Sequence, residues 1–314
     1  MTELITFGET MAAFVPKESG YLRYAGDLSI RAAGSESNVA IGVSKLGHSS
    51  AWISRLGADE LGYLIRNAIR SEGVDTSRVV WDQEYPTGVM IKQVRKGSET
   101  SVFYYRNDSA ASHMETLDWD FLRQAKTIYI SGITPVISDS CKKLVLDVAN
   151  FAEEYKIWIA FDPNIRKKLW KGKDYIPLME TIAKRSQILM LGEEEAKQIY
   201  ETDDMGRICQ RAFASGNLRY LALKKGADGA EVSDGENVIK IQPYPCTCVD
   251  PVGAGDAFNA GFLSGILEEN ELELCGRIGA IAGAMATESR GDTEGIPDRD
   301  MLERILKQQD QIYR

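Results

Sequence analysis

The amino-acid sequence predicts an α/β fold with a doubly wound, mostly parallel sheet flanked by helices. From about residue 126 onward, apolar patterns typical of strands alternate with patterns typical of helices. Residues 4–7 form a short apolar run that ends at Gly8, as buried strands of parallel sheets do. The chain has 314 residues, of which 44% are hydrophobic, which is enough for a large core. We therefore expect a single domain over residues 1–314.

Apolar spacing and helix-stop residues predict the individual elements. Before residue 126 they are a strand at 4–7, loosely exposed strands within 15–32, a helix that Asn38 caps and that ends at Gly47, a strand at 50–54, a helix at 60–71, and a hairpin whose arms at 88–94 and 101–106 flank a turn at 95–99. After it they are strands at 127–131, 157–161, 187–191 and 219–223, helices at 139–155, 175–183, 193–201 and 205–215, a strand-turn-strand at 223–230, and helices at 272–286 and 298–308.

The charge balance narrows the class of partner. Lys and Arg number 37 against 46 Asp and Glu, which gives a formal net charge of −9. This charge disfavours binding to nucleic acids or anionic membranes. The N-terminal residues include Glu3 and Glu9 and no basic lead-in, so they do not indicate a signal peptide, and no apolar run is long enough for a bilayer. We expect a cytoplasmic protein in which anionic ligands meet a local basic patch.

The cysteines do not indicate a metal site or a disulfide framework. They are odd in number and scattered, at Cys141, Cys209, Cys246, Cys248 and Cys275. With only two histidines in the chain, metal ligation is not expected. Buried structural thiols are expected instead, Cys246 and Cys248 included.

The stretch that carries the chemistry is residues 250–262, which read DPVGAGDAFNAGF. Gly253 and Gly255 let the backbone turn tightly and approach a ligand, and an apolar helical pattern follows. The first N–H groups of a helix have no partners and attract anions. Asp256 lies at this positive end, either as a simple partner of the helix dipole or as a general base. In the second case, the amides of Ala254, Gly255 and Asp256 would hold negative charge that develops on a transferring group.

This stretch resembles the C-terminal signature of the ribokinase (PfkB) family of carbohydrate kinases. The resemblance implies that Asp256 is the catalytic base and that the turn Gly253, Ala254 and Gly255 forms the anion hole. It also implies a ribokinase-like sheet with a small β-sheet lid, formed here by about residues 12–32 and 88–108. Exposed lid edges in the family often pair between subunits, so a homo-oligomer is expected.

Residues 33–40, AGSESNVA, resemble the N-terminal signature of the same family. There the glycine-rich turn and its asparagine bind sugar hydroxyls, which implies that Gly34 and Asn38 contact the substrate. Ala33 stands where the family usually has a second glycine.

Two further segments resemble parts of the family that bind ATP and magnesium. Residues 223–230 resemble the family's nucleotide loop, and residues 191–196 its magnesium segment, in which Gly192 replaces the usual asparagine and Glu195 is kept. The implied cofactors are ATP and Mg²⁺, the metal reached by Glu195 through water, and a monovalent cation such as K⁺. The residues expected at ATP are Gly192, Lys224, Gly226, Asp228, Gly229, Gly253 and Gly255.

The substrate is predicted from residues 104–112 and 161–166, which resemble the 2-keto-3-deoxygluconate kinase branch. In that branch the tyrosine and both arginines engage the keto and carboxylate end, which implies roles for Tyr104, Arg106 and Arg166. A neutral sugar would not justify burying the two arginines together, because unpaired buried charge is costly. The expected reaction is ATP-dependent phosphorylation of the primary hydroxyl of this sugar acid.

Alternatives remain at this stage. A fructokinase-like enzyme would use the two arginines as surface or structural groups. A non-catalytic sugar sensor would be expected to lack the base, but Asp256 is present. A dinucleotide-binding oxidoreductase is disfavoured because no G-x-G-x-x-G follows the first strand. Glu9, at the carboxyl end of that strand, could equally face a substrate or be a solvated loop acid.

Overall fold

The computed structural model describes residues 2–95 and 100–312, so most of the predicted turn at 95–99 lies outside the described residues. The strands are β1 Thr2–Phe7, β2 Met11–Pro16, β3 Leu28–Ala33, β4 Ser50–Ile53, β5 Arg55–Gly57, β6 Val80–Asp82, β7 Val89–Val94, β8 Thr100–Tyr105, β9 Ala125–Ser131, β10 Trp158–Asp162, β11 Ile188–Gly192, β12 Tyr220–Lys224, β13 Ala230–Ser233 and β14 Val238–Ile241. The helices are α1 Ser35–Lys45, α2 Glu60–Ser71, α3 Trp119–Leu122, α4 Thr134–Ile137, α5 Asp139–Tyr155, α6 Ile176–Ala183, α7 Glu193–Tyr200, α8 Met205–Ala212, α9 Ala254–Leu267, α10 Leu272–Ala286 and α11 Arg299–Ile312.

The central sheet confirms the predicted fold class. Its strands lie in the order β14-β13-β12-β11-β10-β9-β1-β4. The six strands from β12 to β4 are parallel to their neighbours, and only β13 and β14 run antiparallel at one edge. Parallel strands bring their carboxyl ends to one edge of the sheet, where ligands of such folds bind. The loops after β1, β10 and β11 and the end of β12 therefore converge.

Helices cover both faces of this sheet and bury its apolar side chains. Leu4 of β1 packs with α1 and α9 in the core on one face, whereas Ile5 packs with α5 in the core on the other. Such alternation follows from the two-residue period of a strand. Helices α1 and α9 touch closely, because a side chain at Gly42 would meet the Cβ atom of Ala260 at 2.5 Å. This contact fixes the start of α9 relative to the start of α1.

A separate small sheet has the strand order β3-β2-β7-β8. Strands β7 and β8 pair antiparallel, which confirms the predicted hairpin. Strand β3 lies at the end of the segment 15–32, where exposed strands were expected, whereas its partner β2 begins earlier, at Met11, and is mostly buried. One face of this sheet packs Ala12 and Val89 near α2. The other face carries Ala13 and Met90. The function of this sheet as a lid, and its pairing between subunits, stay predictions.

Two predictions about single residues are wrong. Helix α1 begins at Ser35 with Gly34 as its cap, so Asn38 lies inside the helix, where its side chain reaches another element. Cys246 and Cys248 are exposed, because they lie in the long connection between β14 and α9 rather than in an element with an apolar face. Among the described residues, no helix combines the length and the apolar character needed to cross a bilayer.

Candidate active site

The turn before α9 leaves the N-terminal backbone amides of this helix accessible to a ligand. Gly253 caps α9 with φ of +84°, a left-handed conformation that favours glycine. A side chain there would also overlap the backbone carbonyl of Asp292. The amide of Ala254 makes only a long contact of 3.4 Å with the carbonyl of Pro251. Since helix geometry leaves the next N–H groups without intrahelical partners, this end of α9 is suited to an anion.

The side chain of Asp256, which belongs to α9, is held by hydrogen bonds from residues of α1. Ser35 donates its hydroxyl to Oδ1 at 2.7 Å, and Asn38 donates its amide to Oδ2 at 2.8 Å. Asn164 in turn donates to the Ser35 hydroxyl at 2.9 Å. A carboxylate that only balanced a helix dipole would not need these donors from α1. These bonds fix the orientation of the Asp256 carboxylate at the start of α9, and its role as a base stays a prediction.

The surroundings of Asp256 tune its proton affinity. Burial raises the pKa of Asp256 to about 6, the bonds from Asn38 and Ser35 oppose this rise, and the charges of Asp162 and Asp292 add to it. A carboxyl group with a pKa near 6 is ionised at neutral pH and still basic enough to take a proton efficiently.

A buried cation lies beside this carboxylate. Lys224 donates to Asp162 Oδ2 at 2.7 Å and to Asn259 Oδ1 at 3.2 Å. A side chain at Gly255 would be 3.8 Å from the Lys224 ammonium. Burial alone lowers the pKa of Lys224, but the charges of Asp162 and Glu195 raise it above its usual value, so the ammonium stays protonated.

Asn259 was not found by sequence reasoning. It is fully buried on α9 and donates to Asp162 Oδ2 at 2.6 Å and to the Tyr129 hydroxyl at 3.2 Å. The sequence contained an indication of its role, because Asn259 is a polar residue within an apolar helical pattern, and a buried polar side chain needs hydrogen-bond partners. Its position three residues after Asp256 places both side chains on one side of the helix. Asn259 therefore holds the Asp162–Lys224 pair under the start of α9.

Glu195 lies in the first turn of α7, and both of its carboxylate oxygens accept hydrogen bonds. It accepts the Gly192 amide at 2.7 Å and the Ile165 amide at 2.8 Å. Burial and the charge of Asp162 raise the pKa of Glu195, and Lys224 opposes this rise. Two carboxylates so close to one another form a place where an added cation would be favourable.

These groups line one open cavity of about 340 Å³. Its lining residues are Asp162, Asn164, Arg166, Glu195, Lys224, Pro251, Val252, Gly253, Gly255 and Asp256. The structure thus brings together the predicted base, the turn glycines, Lys224, Glu195 and Arg166. Asn38, on the helix α1 that Gly34 caps, donates a hydrogen bond to Asp256 of this cavity.

Other predicted nucleotide residues lie outside the lining of this cavity. Gly226 and Asp228 belong to an exposed turn after β12. Gly229 has φ of +87°, and a side chain there would overlap the carbonyl of Ile241, so its glycine is explained by the turn itself. Gly192 donates to Glu195 instead of lining the cavity. Contacts of these four residues with a nucleotide stay predictions.

The two arginines are not buried together, so that argument for an acidic substrate is wrong. Arg106 is buried, but its guanidinium forms an ion pair with Glu9, which is also buried. Ser109 donates to the second oxygen of Glu9 at 2.5 Å. Arg166 is exposed at the cavity. Glu9 is neither a solvated loop acid nor free for a substrate, because it serves as the counter-charge of Arg106.

Tyr104 lies at the end of β8 with 38% of its surface exposed. The Arg106 guanidinium is 5.9 Å from the centre of its ring. Neither Tyr104 nor Arg106 lines the cavity of Asp256. Their contact with a substrate stays a prediction.

Glu36 is a second buried carboxyl group that sequence reasoning missed. It is 1% exposed, and its Oε1 accepts the hydroxyl of Thr134. A side chain at Gly8 would overlap the Glu36 carboxyl group, so a glycine provides its space. Burial raises the pKa of Glu36 to about 8, and the charge of Asp256 contributes to the rise. Glu36 is therefore protonated at neutral pH.

Comparison with known proteins agrees with this geometry. The model of a family described as pfkB family carbohydrate kinase matches residues 1–299. The chain is 33% identical to 2-dehydro-3-deoxygluconokinase of Bacillus subtilis (strain 168), over 99% of this chain and 97% of that protein. It is 32% identical to 2-dehydro-3-deoxygalactonokinase of Haloferax volcanii, over 97% and 96% of the two chains. A protein of Arabidopsis thaliana named "Probable fructokinase-6, chloroplastic" is 28% identical, over 96% of this chain and 82% of that protein.

Solved structures share the fold over nearly the whole chain. A PfkB protein from Polaromonas sp. JS666 has a TM-score of 0.87 and 30% identity, covering 97% of this chain and all of that chain. The sugar kinase PH1459 from Pyrococcus horikoshii, solved in complex with ATP, has a TM-score of 0.81 and 28% identity, covering 95% and 96%.

Proposed function

The chain belongs to the pfkB family of carbohydrate kinases, and on that premise we propose that it phosphorylates a sugar acid with ATP. The acceptor is 2-keto-3-deoxygluconate, also called 2-dehydro-3-deoxygluconate, and the product is 2-keto-3-deoxy-6-phosphogluconate. The observation that supports phosphoryl transfer is Asp256, oriented by Ser35 and Asn38 at an open helix start beside the Lys224 ammonium. The acceptor is inferred from the relatives named 2-dehydro-3-deoxygluconokinase and 2-dehydro-3-deoxygalactonokinase.

Each residue of the site has a separate role in the proposed phosphoryl transfer. The acceptor hydroxyl oxygen forms a bond to the γ-phosphorus while the bond from that phosphorus to the bridging oxygen of ADP breaks. Asp256 takes the proton of the hydroxyl, and the amides at the start of α9 hold the charge on the transferring group. Lys224 adds a fixed positive charge next to Gly255. Gly34 and Asn38 would position the sugar hydroxyls.

Magnesium fits the site as a partner of ATP. Among the described residues, no group of three or more His, Cys, Asp or Glu side chains is arranged to hold a metal ion. Mg²⁺ usually keeps several waters and binds phosphates with one or two carboxylates, and Asp162 and Glu195 supply that kind of oxygen at the cavity. When bound, it would neutralise charge on the phosphates. A requirement for a monovalent cation such as K⁺ stays a prediction.

The proposal is tested by a panel of acceptors in an assay that couples ADP release to NADH oxidation. We expect kcat/KM for 2-keto-3-deoxygluconate to exceed that for fructose at least tenfold. A preference for fructose would instead support a fructokinase, which the fructokinase relative and the pairing of Arg106 with Glu9 favour as the second candidate. Absence of turnover with every sugar and sugar acid would contradict both and favour a sensor.

The pKa of Asp256 gives an expected pH profile. Because the base acts when deprotonated and its pKa is about 6, kcat/KM should be flat above this pH and fall about tenfold per unit below it. Titration of ATP could produce a similar fall, so we use Ser35→Ala as the control. Loss of the Ser35 bond to the charged form of Asp256 should move the inflection to higher pH. An inflection that does not move would assign the titration to another group.

A further inference from the structure

A short basic segment begins at the cavity that contains Asp256. Arg166 lines this cavity, and Lys167 and Lys168 follow it directly in the chain. All three residues are exposed to solvent. The chain as a whole carries a formal net charge of −9. The segment therefore concentrates positive charge at the edge of the candidate active site of an acidic protein.

The local structure fixes the position of this segment relative to the cavity. Residues Lys167–Leu169 form one turn of 3-10 helix, in which the Leu169 amide donates to the Arg166 carbonyl at 2.8 Å and the Trp170 amide donates to the Lys167 carbonyl at 3.0 Å. Trp170 is buried in the core that covers one face of the sheet, and Leu169 packs against the same core. The two apolar residues thus anchor the turn, and the lysines before them remain in solvent.

The three cations are not neutralised by ion pairs. Among the described residues, none has an interaction with the side chain of Lys167 or Lys168. The Arg166 side chain donates only to the carbonyl of the preceding residue, at 3.4 Å, within the same part of the chain. Lys173, further along the segment, lies 4.0 Å from Asp139 and is therefore not counted with them.

The two lysines are close enough to influence the cavity by charge. Consecutive Cα atoms are 3.8 Å apart, so the Cα atom of Lys168 lies at most about 8 Å from that of Arg166. The Debye length is about 8 Å at physiological ionic strength and about 30 Å at 0.01 M. The field of Lys167 and Lys168 therefore extends over the entrance beside Arg166, and over a longer range when the salt concentration is low.

The cavity itself does not attract an anion by its overall charge. Its lining has three acids, Asp162, Glu195 and Asp256, and two cations, Lys224 and Arg166. An anionic ligand that approaches this site must also overcome the negative net charge of the protein. A basic segment at the entrance opposes both effects, which is the local basic patch that the composition led us to expect.

We propose that Lys167 and Lys168 accelerate the binding of ATP by electrostatic steering, without contacting the nucleotide once it is bound. The inference rests on the proposed use of ATP but not on the identity of the acceptor. The steered ligand is the nucleotide, because the attraction grows with the charge of the ligand and a triphosphate carries more negative charge than one carboxylate.

The test is the association rate constant of the fluorescent analogue mant-ATP, measured with Mg²⁺ by stopped flow between 0.02 and 0.5 M ionic strength. In Lys167→Gln/Lys168→Gln this constant should fall roughly three- to tenfold at the lowest salt and equal the wild-type value at the highest. The dissociation rate constant should stay within about twofold of the wild type. Lys167→Arg/Lys168→Arg should keep fast association, and Lys167→Glu/Lys168→Glu should slow it further.

The matched control removes two exposed lysines from the opposite edge of the sheet. Lys156 ends α5 just before β10, and Lys184 ends α6 just before β11, so both lie at the amino ends of the strands. Lys156→Gln/Lys184→Gln changes the net charge by the same amount and should leave association nearly unchanged. An equal fall in this control would assign the effect to net charge and overturn the proposal for Lys167 and Lys168.

The remaining outcomes separate steering from contact and from the proposed function. A lower association rate constant that persists at 0.5 M salt, or a dissociation rate constant that rises severalfold, would show direct contact or a structural role and overturn the proposal. Association that is unchanged at low salt in Lys167→Gln/Lys168→Gln would overturn it as well. A wild-type protein that does not bind mant-ATP would contradict the proposed function, and this inference with it.

Discussion

Asp256→Asn should lower kcat by roughly 10³-fold, within the range typical for loss of a general base. Asparagine cannot take the proton of the acceptor hydroxyl, yet it fits the same space. Its oxygen can accept the bond from Asn38, and its amide can donate to the hydroxyl of Ser35, so the contacts across α1 and α9 are kept. The loss should therefore appear in turnover and not in folding.

This expectation is checked by measuring kcat with the coupled assay, ATP affinity by calorimetry, and the midpoint of thermal unfolding. ATP affinity and the unfolding midpoint should stay close to those of the wild type. Asp300→Asn serves as the matched control, since Asp300 is an exposed acid in the first turn of α11. A kcat within tenfold of the wild type would show that Asp256 is not the base. It would favour the alternative that the sequence left open, in which Asp256 only balances the helix dipole.

Features encoded within a short stretch could be predicted from the sequence. The turn at Gly253, the helix after it and the base Asp256 occupy a few consecutive residues. The spacing of apolar residues likewise predicts the alternation that becomes the parallel sheet. Such features depend on local backbone chemistry and on periodicity, which a single sequence contains.

Ion pairs between distant segments could not be predicted in this way. Glu9 and Arg106 are separated by almost a hundred residues, and Lys92 and Asp292 by 200, so only the folded chain brings them together. The sequence showed an arginine after two tyrosines but not the acid that neutralises it. The charge of Arg106 therefore does not indicate an acidic substrate, because Glu9 already neutralises it.

The case of Asn38 shows how a local rule can be overridden by tertiary structure. Asparagine commonly caps helices, and the pattern after Asn38 is helical. In the structure, Gly34 starts α1 four residues earlier, and Asn38 donates its amide to Asp256. The side chain is used between two helices, which the spacing along one helix cannot reveal.

Glu36→Gln should remove a large pH dependence from the stability of the protein. The folded chain keeps the proton of Glu36 up to about pH 8, whereas an unfolded chain loses it near the ordinary value of 4.5. Between these values the folded state holds one more proton, so this group makes the free energy of unfolding decrease by about 1.4 kcal/mol per pH unit. The stability that the protonated carboxyl contributes is complete below about pH 4.5 and is lost as the pH rises toward 8, roughly 4 to 5 kcal/mol in total.

Urea unfolding at several pH values measures this effect as the difference between the variant and the wild type. Glutamine has no proton to lose and can still accept the hydroxyl of Thr134, so the two proteins should be similar in stability near pH 4.5. Above pH 8 the variant should be the more stable by several kcal/mol. Glu154→Gln, at an exposed position of α5, controls for loss of a surface charge and should give a difference that is nearly constant with pH.

The sign of the result decides between two states of Glu36. If its carboxylate were ionised and stabilised by Arg106, which acts in that direction, the folded pKa would lie below 4.5, and the variant would be less stable than the wild type by a constant amount above pH 4.5. If Glu36 is neutral, the variant gains stability relative to the wild type as the pH rises from 4.5 to about 8. The geometry favours the neutral state, because Glu36 is enclosed by Gly8 and Thr134 and lies near the charge of Asp256. A neutral Glu36 avoids placing a second negative charge close to the base, and Asp256 can then remain ionised at neutral pH.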